Sequence, residues 1–172
     1  KYKGKFDQGW DKLREESFAR QKELGVVPPD AELTPRNEAF PAWDDVPDKL
    51  KPFYARQMEV YAGFLEHTDV QVGRLVDEIE SQGLRDNTLI FYVLSDNGAS
   101  REGEVTGTTS YYVHLLQGDD VEADRARLDL IGGPQTTPHY PRGWAMAGCT
   151  PWRLYKINTH AGGHSVPFVV SW

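Results

Sequence analysis

The chain has 172 residues, 39% of them apolar, with five tryptophans and a formal net charge of −7. Such a length and apolar content suffice for one domain with a hydrophobic core. The negative balance, with no basic stripe, argues against nonspecific nucleic-acid binding, and no apolar run reaches membrane-span length.

In chain order, a helix is predicted from Gly9 to Leu24, with Trp10, Leu13, Phe18 and Leu24 as apolar anchors. Gly25 and Pro28-Pro29 stop it. Six of the eleven prolines (Pro28, Pro29, Pro35, Pro41, Pro47 and Pro52) fall within or just beyond residues 25–51. Phe40 and Trp43 would pin that segment to the body, so it reads as an ordered, irregular loop. The clearest helix is predicted over residues 53–82. Val60, Tyr61, Phe64, Leu65, Thr68, Val72, Leu75, Val76 and Ile79 recur there at three- and four-residue spacing. Gly83 ends it, and Arg85-Asp86-Asn87 turns the chain onward.

The next run, Leu89 to Leu94, is apolar without alternation, which suits a strand buried on both faces of a parallel sheet. Helix, turn and buried strand form the second half of a right-handed βαβ unit, with the first strand expected upstream of Lys1. The predicted fold class is α/β, with a central, mostly parallel sheet flanked by helices. Residues 99–144 read as a long surface loop with one short helix. A closing strand is predicted from Pro167 to Trp172. Both ends read as cut, so residues 1–172 are expected to be part of a longer catalytic domain.

The first strand ends in Ser95-Asp96-Asn97-Gly98. In open α/β sheets, ligands sit beyond the carboxyl ends of strands. Asp96 and Asn97 offer oxygens to a hard divalent cation there, and Gly98 permits a sharp turn. An Asx turn closing the strand accounts for the same residues. Two donors are only part of a site that needs roughly six or more oxygens. Glu102 and Glu104 lie nearby in sequence, where a glycine-rich surface loop also explains them. Lys156 precedes Gly162-Gly163 and could reach the strand-end cleft as a point charge on an anion, or lie exposed.

Other candidates are weaker. His160 and His164 flank the glycine pair, which disfavours a helix bearing two imidazoles. His67 is expected to pack against a neighbour, and Asp69 to fall near the apolar face of the long helix. Cys149-Thr-Pro151-Trp-Arg153 spells C-x-P-x-R, but Leu154-Tyr155-Lys156 follows it, and a buried, inert thiol is the better reading. As a lone cysteine it excludes an internal disulfide framework.

Taken in order, several segments resemble the type I sulfatases of the alkaline phosphatase superfamily, particularly the large bacterial arylsulfatases. They are Tyr2-Lys-Gly4-Lys-Phe-Asp7-Gln-Gly9-Trp10-Asp11, Arg56 to Asp69, Gly73-Arg74, Asp86 to Ile90 and Ser95-Asp96-Asn97-Gly98-Ala99. Gly143-Trp144-Ala145, Thr150 to Lys156, His160-Ala-Gly-Gly163 and Pro167 to Val170 complete the set. The resemblance implies that Asp96 and Asn97 bind the active-site divalent metal, calcium in most relatives, with magnesium also served by such oxygens. It implies that Lys156 contacts the sulfate, and that the substrate is a small-molecule or sugar sulfate ester. The family's Asp-Asp ligands, its upstream Lys and His, and the Cys-x-Pro-Ser-Arg segment that yields formylglycine have no match here. In that family they precede Asp-Asn-Gly, so formylglycine is expected upstream and Cys149 falls too late to supply it. Ala161 stands where many relatives have glutamate. The rival readings are a phosphate or phosphonate ester hydrolase of the same superfamily, and a noncatalytic binding module that keeps the fold.

Overall fold

The computed structural model describes residues 1–172. In chain order it contains α1 (Gly9–Glu23), α2 (Lys51–Ser81), β1 (Ile90–Val93), α3 (Tyr111–Gln117), α4 (Val121–Ala126), α5 (Arg142–Gly148), α6 (Ala161–His164) and β2 (Phe168–Ser171). Tight 3-10 turns lie at Trp43–Asp45, Arg85–Asn87 and Leu128–Leu130.

Aromatic side chains organise the core. Trp10 of α1 meets Trp43 and Trp144 edge-on, with ring centroids 4.8 and 5.6 Å apart. Such edge-to-face pairs add specific attraction to the apolar area they bury. Gly143 lets α5 approach this cluster, since a Cβ there would sit 2.2 Å from the Trp10 ring. The polar ends of the aromatics are satisfied: Trp144 Nε1 donates to the Tyr54 carbonyl at 3.0 Å, and Trp10 Nε1 to that of Pro41 at 3.3 Å.

The proline-rich loop is pinned as predicted. Phe40 and Trp43 are buried, and Asp11 Oδ2 accepts from the Trp43 amide at 2.7 Å. Arg14, also buried, donates to Thr34 Oγ1 at 2.6 Å and to the Pro151 carbonyl at 3.3 Å. One guanidinium thereby ties α1, the loop and the segment leading to Lys156 together.

Helix α2 begins with Pro52 in its first turn, where a missing N–H costs nothing. Phe53, Tyr54, Ala55, Gln57, Met58 and Glu59 are buried, and the four apolar or aromatic ones among them join the aromatic cluster. Farther along, the predicted face is only partly covered. Thr68, Val72, Val76 and Ile79 are half-buried, while Phe64, Leu65 and Leu75 are exposed. His67 and Asp69 are both exposed, so neither packs inward as predicted. No helix is long and apolar enough to cross a membrane.

The sheet departs from expectation. It has two strands, and β1 pairs with β2 antiparallel, with Ile90 opposite Ser171 and Val93 opposite Phe168. The mostly parallel sheet predicted from the sequence is not formed by these two strands. β1 alternates half-buried and exposed residues, and β2 is exposed throughout. Unbroken apolarity marks a strand that can be covered on both faces, whereas a two-stranded ribbon has no second layer to do so.

Residues 99–144 are more structured than a surface loop. They hold α3, α4 and the start of α5, and Thr109 and Trp144 are almost fully buried. Asp124 Oδ1 accepts from the Thr109 amide at 2.8 Å, which locks α4 to the chain before α3. Helices of six or seven residues show too little of a 3.6-residue period to be seen in the sequence.

Candidate functional site

β1 delivers the chain to Ser95, which adopts a left-handed φ of +78° and turns the backbone sharply. Asp96 is exposed and Asn97 half-buried beyond that turn. Asn97 Nδ2 donates to Asp96 Oδ1 at 2.7 Å, and the only other protein partner of this pair of side chains is Ser95. The carboxylate and the amide thus stand side by side, with no distant residue consuming them.

Three backbone-centred links bind the next residues to the segment that carries Lys156. Gly98 N donates to the Gly163 carbonyl at 3.0 Å, Ala99 N to Cys149 Sγ at 3.2 Å, and Lys156 N to the Ala99 carbonyl at 3.1 Å. Only glycine fits at position 98, because a Cβ would come within 1.7 Å of the Gly162 carbonyl oxygen. The two glycine-containing turns therefore fix the distance between the strand end and the lysine. α6 contributes a single helical turn here despite its glycines, contrary to expectation. His160, just before this turn, and His164, its last residue, are both exposed, and no group of three or more His, Cys, Asp or Glu side chains able to hold a metal is assembled.

Lys156 is half-buried, with Nζ 2.6 Å from Glu102 Oε1. This hydrogen bond holds the ammonium above the ordinary lysine pKa, and the charges of Glu102 and Asp96 add to the effect. Partial burial pushes Glu102 upward, but the Lys156 hydrogen bond and the nearby charges outweigh it and leave the carboxyl below its usual range. Glu104 is committed elsewhere, to ion pairs with Arg101 and Arg142.

Cys149 is buried, and its Sγ donates to the Gly162 carbonyl at 3.2 Å. Burial pushes the thiol pKa up, which makes it a poor thiolate and fits the expected inert role.

Sequence reasoning passes over two residues beside this cluster. His139 Nε2 and Ser100 Oγ share a 2.7 Å hydrogen bond, and the same nitrogen lies 3.8 Å from Glu102 Oε2. Burial lowers the His139 pKa, which favours the neutral ring. His139 and Ser100 line a cavity of about 730 Å³ together with Tyr61, Phe64 and Tyr140. Asp96, Asn97 and Lys156 do not line that cavity. No local pattern marks His139, whose neighbours come from distant parts of the chain.

The comparisons with known proteins agree with one another. The Sulfatase family model matches residues 1–172. The chain is similar to an uncharacterized sulfatase of Schizosaccharomyces pombe, 33% identical over 171 residues, covering 99% of this chain and 30% of that protein. It is also similar to an arylsulfatase of Klebsiella aerogenes, 27% identical over 172 residues, covering 99% of this chain and 35% of the relative. The chain spans about a third of the length of these relatives. The match along its whole length carries with it an alkaline phosphatase-like α/β fold, and the chain belongs to the sulfatase family.

Proposed function

We propose that the whole protein hydrolyses a sulfate ester of a small molecule or sugar in the manner of an arylsulfatase, and that this chain supplies one flank of its active site. The observation that carries the reading is the linkage just described. The Asp96-Asn97 pair and the Lys156 ammonium are held on two turns joined by the Gly98, Ala99 and Lys156 hydrogen bonds. Family membership supports sulfate ester chemistry over the phosphate ester and noncatalytic alternatives.

Each residue has a distinct task. Asp96 brings a formal negative charge and Asn97 a neutral amide oxygen, and both suit a hard divalent cation, calcium or magnesium. Their exposure and lack of distant partners fit a flank that is completed by other donors. When bound, such an ion would polarise the sulfuryl oxygens of the ester as a Lewis acid. Lys156 would place a positive charge against those oxygens as negative charge builds on them during S–O cleavage. The ammonium has three N–H donors, so two remain for the anion while one bonds Glu102. In this reading the formylglycine nucleophile would come from outside residues 1–172, because Cys149 follows Asp96-Asn97-Gly98 in the chain instead of preceding it.

The test is release of inorganic sulfate from a chromogenic aryl sulfate by the whole protein, before and after chelation. Activity that is lost on metal removal and restored by calcium or magnesium is the expected result. Undiminished activity in the metal-free protein contradicts the role given to Asp96 and Asn97.

A further inference from the structure

Lys156 is ordered by a chain of contacts that reaches back to α2. Glu102 Oε1 holds the ammonium at 2.6 Å. Its other oxygen, Oε2, is buried without a hydrogen-bond partner and faces His139 Nε2 at 3.8 Å. His139 is fixed in turn by Ser100 Oγ at 2.7 Å, and its carbonyl accepts from Gln57 Nε2 at 3.1 Å. Gln57 is 2% exposed in the first turns of α2 and also donates to the Thr108 carbonyl at 3.1 Å. The Glu102 side chain is 27% exposed and that of Lys156 35%. This pair is thus unlike the fully solvated ion pairs that contribute almost nothing.

We propose that Glu102 is a positioning residue for sulfate ester hydrolysis, one that aims the Lys156 ammonium through Oε1 before substrate arrives, while its Oε2 lies beside the Ser100–His139 pair. The inference rests on the reading of Lys156 as the anion contact. A lysine on its four-carbon stem loses rotamer freedom when it grips a ligand. A carboxylate that has already ordered the stem removes that loss from the step in which sulfate is bound and activated. Glu102 does not touch the anion itself, because its negative charge is turned to Nζ and to the His139 ring. It works through Lys156.

A double-mutant cycle on the whole protein separates positioning from plain structural support. Glu102→Ala is expected to lower kcat/KM on a chromogenic aryl sulfate by about ten- to a hundredfold, the usual range for residues that orient a functional group. Glu102→Gln, whose amide oxygen still accepts from Nζ, is expected to recover most of that loss. In a Lys156→Ala background, Glu102→Ala should cost nothing further. An equal loss in both backgrounds overturns the proposal, as does wild-type kcat/KM in Glu102→Ala. Should the alanine variant fail to fold, Glu102→Asp serves in the same cycle, since it keeps the charge but withdraws it by one methylene. A loss confined to the background that retains Lys156 supports the proposal, and an unchanged or background-independent kcat/KM overturns it. Wild-type activity in Lys156→Ala alone overturns the underlying reading of the lysine, a result distinct from failure of the Glu102 step.

Discussion

Alanine at Asp96 is expected to lower sulfate ester turnover by about a thousandfold or more, since a metal Lewis acid supplies several kcal/mol of transition-state stabilisation. In the proposed metal site Asp96 would be the only charged donor of this flank, and Asn97 alone would offer the ion a single neutral oxygen. The loss should appear together with a lower metal content of the purified protein. Folding should be little affected, because Asp96 is exposed and bonds only to its immediate neighbours Ser95 and Asn97. Substitutions at such surface positions usually change stability by within about 0.5 kcal/mol. A variant that keeps both its metal and its turnover would refute the assignment of Asp96.

Lys156→Ala is expected to lower turnover by about one to three orders of magnitude, as loss of one preorganised contact to a developing anion does. The backbone bond from Lys156 N to the Ala99 carbonyl survives the substitution, so the two turns remain joined. The effect should therefore fall on the chemical step rather than on the fold. Lys156→Arg is not expected to restore the rate fully, because a planar guanidinium cannot occupy the place of a compact ammonium held 2.6 Å from Glu102. Thermal unfolding measured beside the steady-state kinetics checks both points.

The long elements were legible in the sequence because their signals are local. α1 and α2 lie within about two residues of the predicted bounds, since glycine, proline and the 3.6-residue period mark them directly. Phe40 and Trp43 betrayed an ordered loop because large aromatics are costly to leave in water. Asp96 and Asn97 stand at a strand end, as the abrupt change from apolar to polar residues indicated. The order of motifs along the chain carried the family resemblance, which the family match supports over all of residues 1–172.

Nonlocal features were hidden. The antiparallel pairing of β1 with β2 depends on which strand lies alongside, and neither strand's composition records its partner. The burial of Trp144 depends on a short α5 meeting Trp10 from far upstream. The association of Ser100, Glu102, His139 and Lys156 depends on three separate segments folding together, so a glutamate that reads as part of a surface loop becomes the partner of Lys156.

The most direct measurement is a crystal structure of the whole protein with calcium and inorganic sulfate. The account predicts a cation ligated by Asp96 and Asn97, with the sulfate bonded to Lys156 Nζ and facing that ion. A sulfate or cation bound only at some other place, with Lys156 turned away from both, would contradict it.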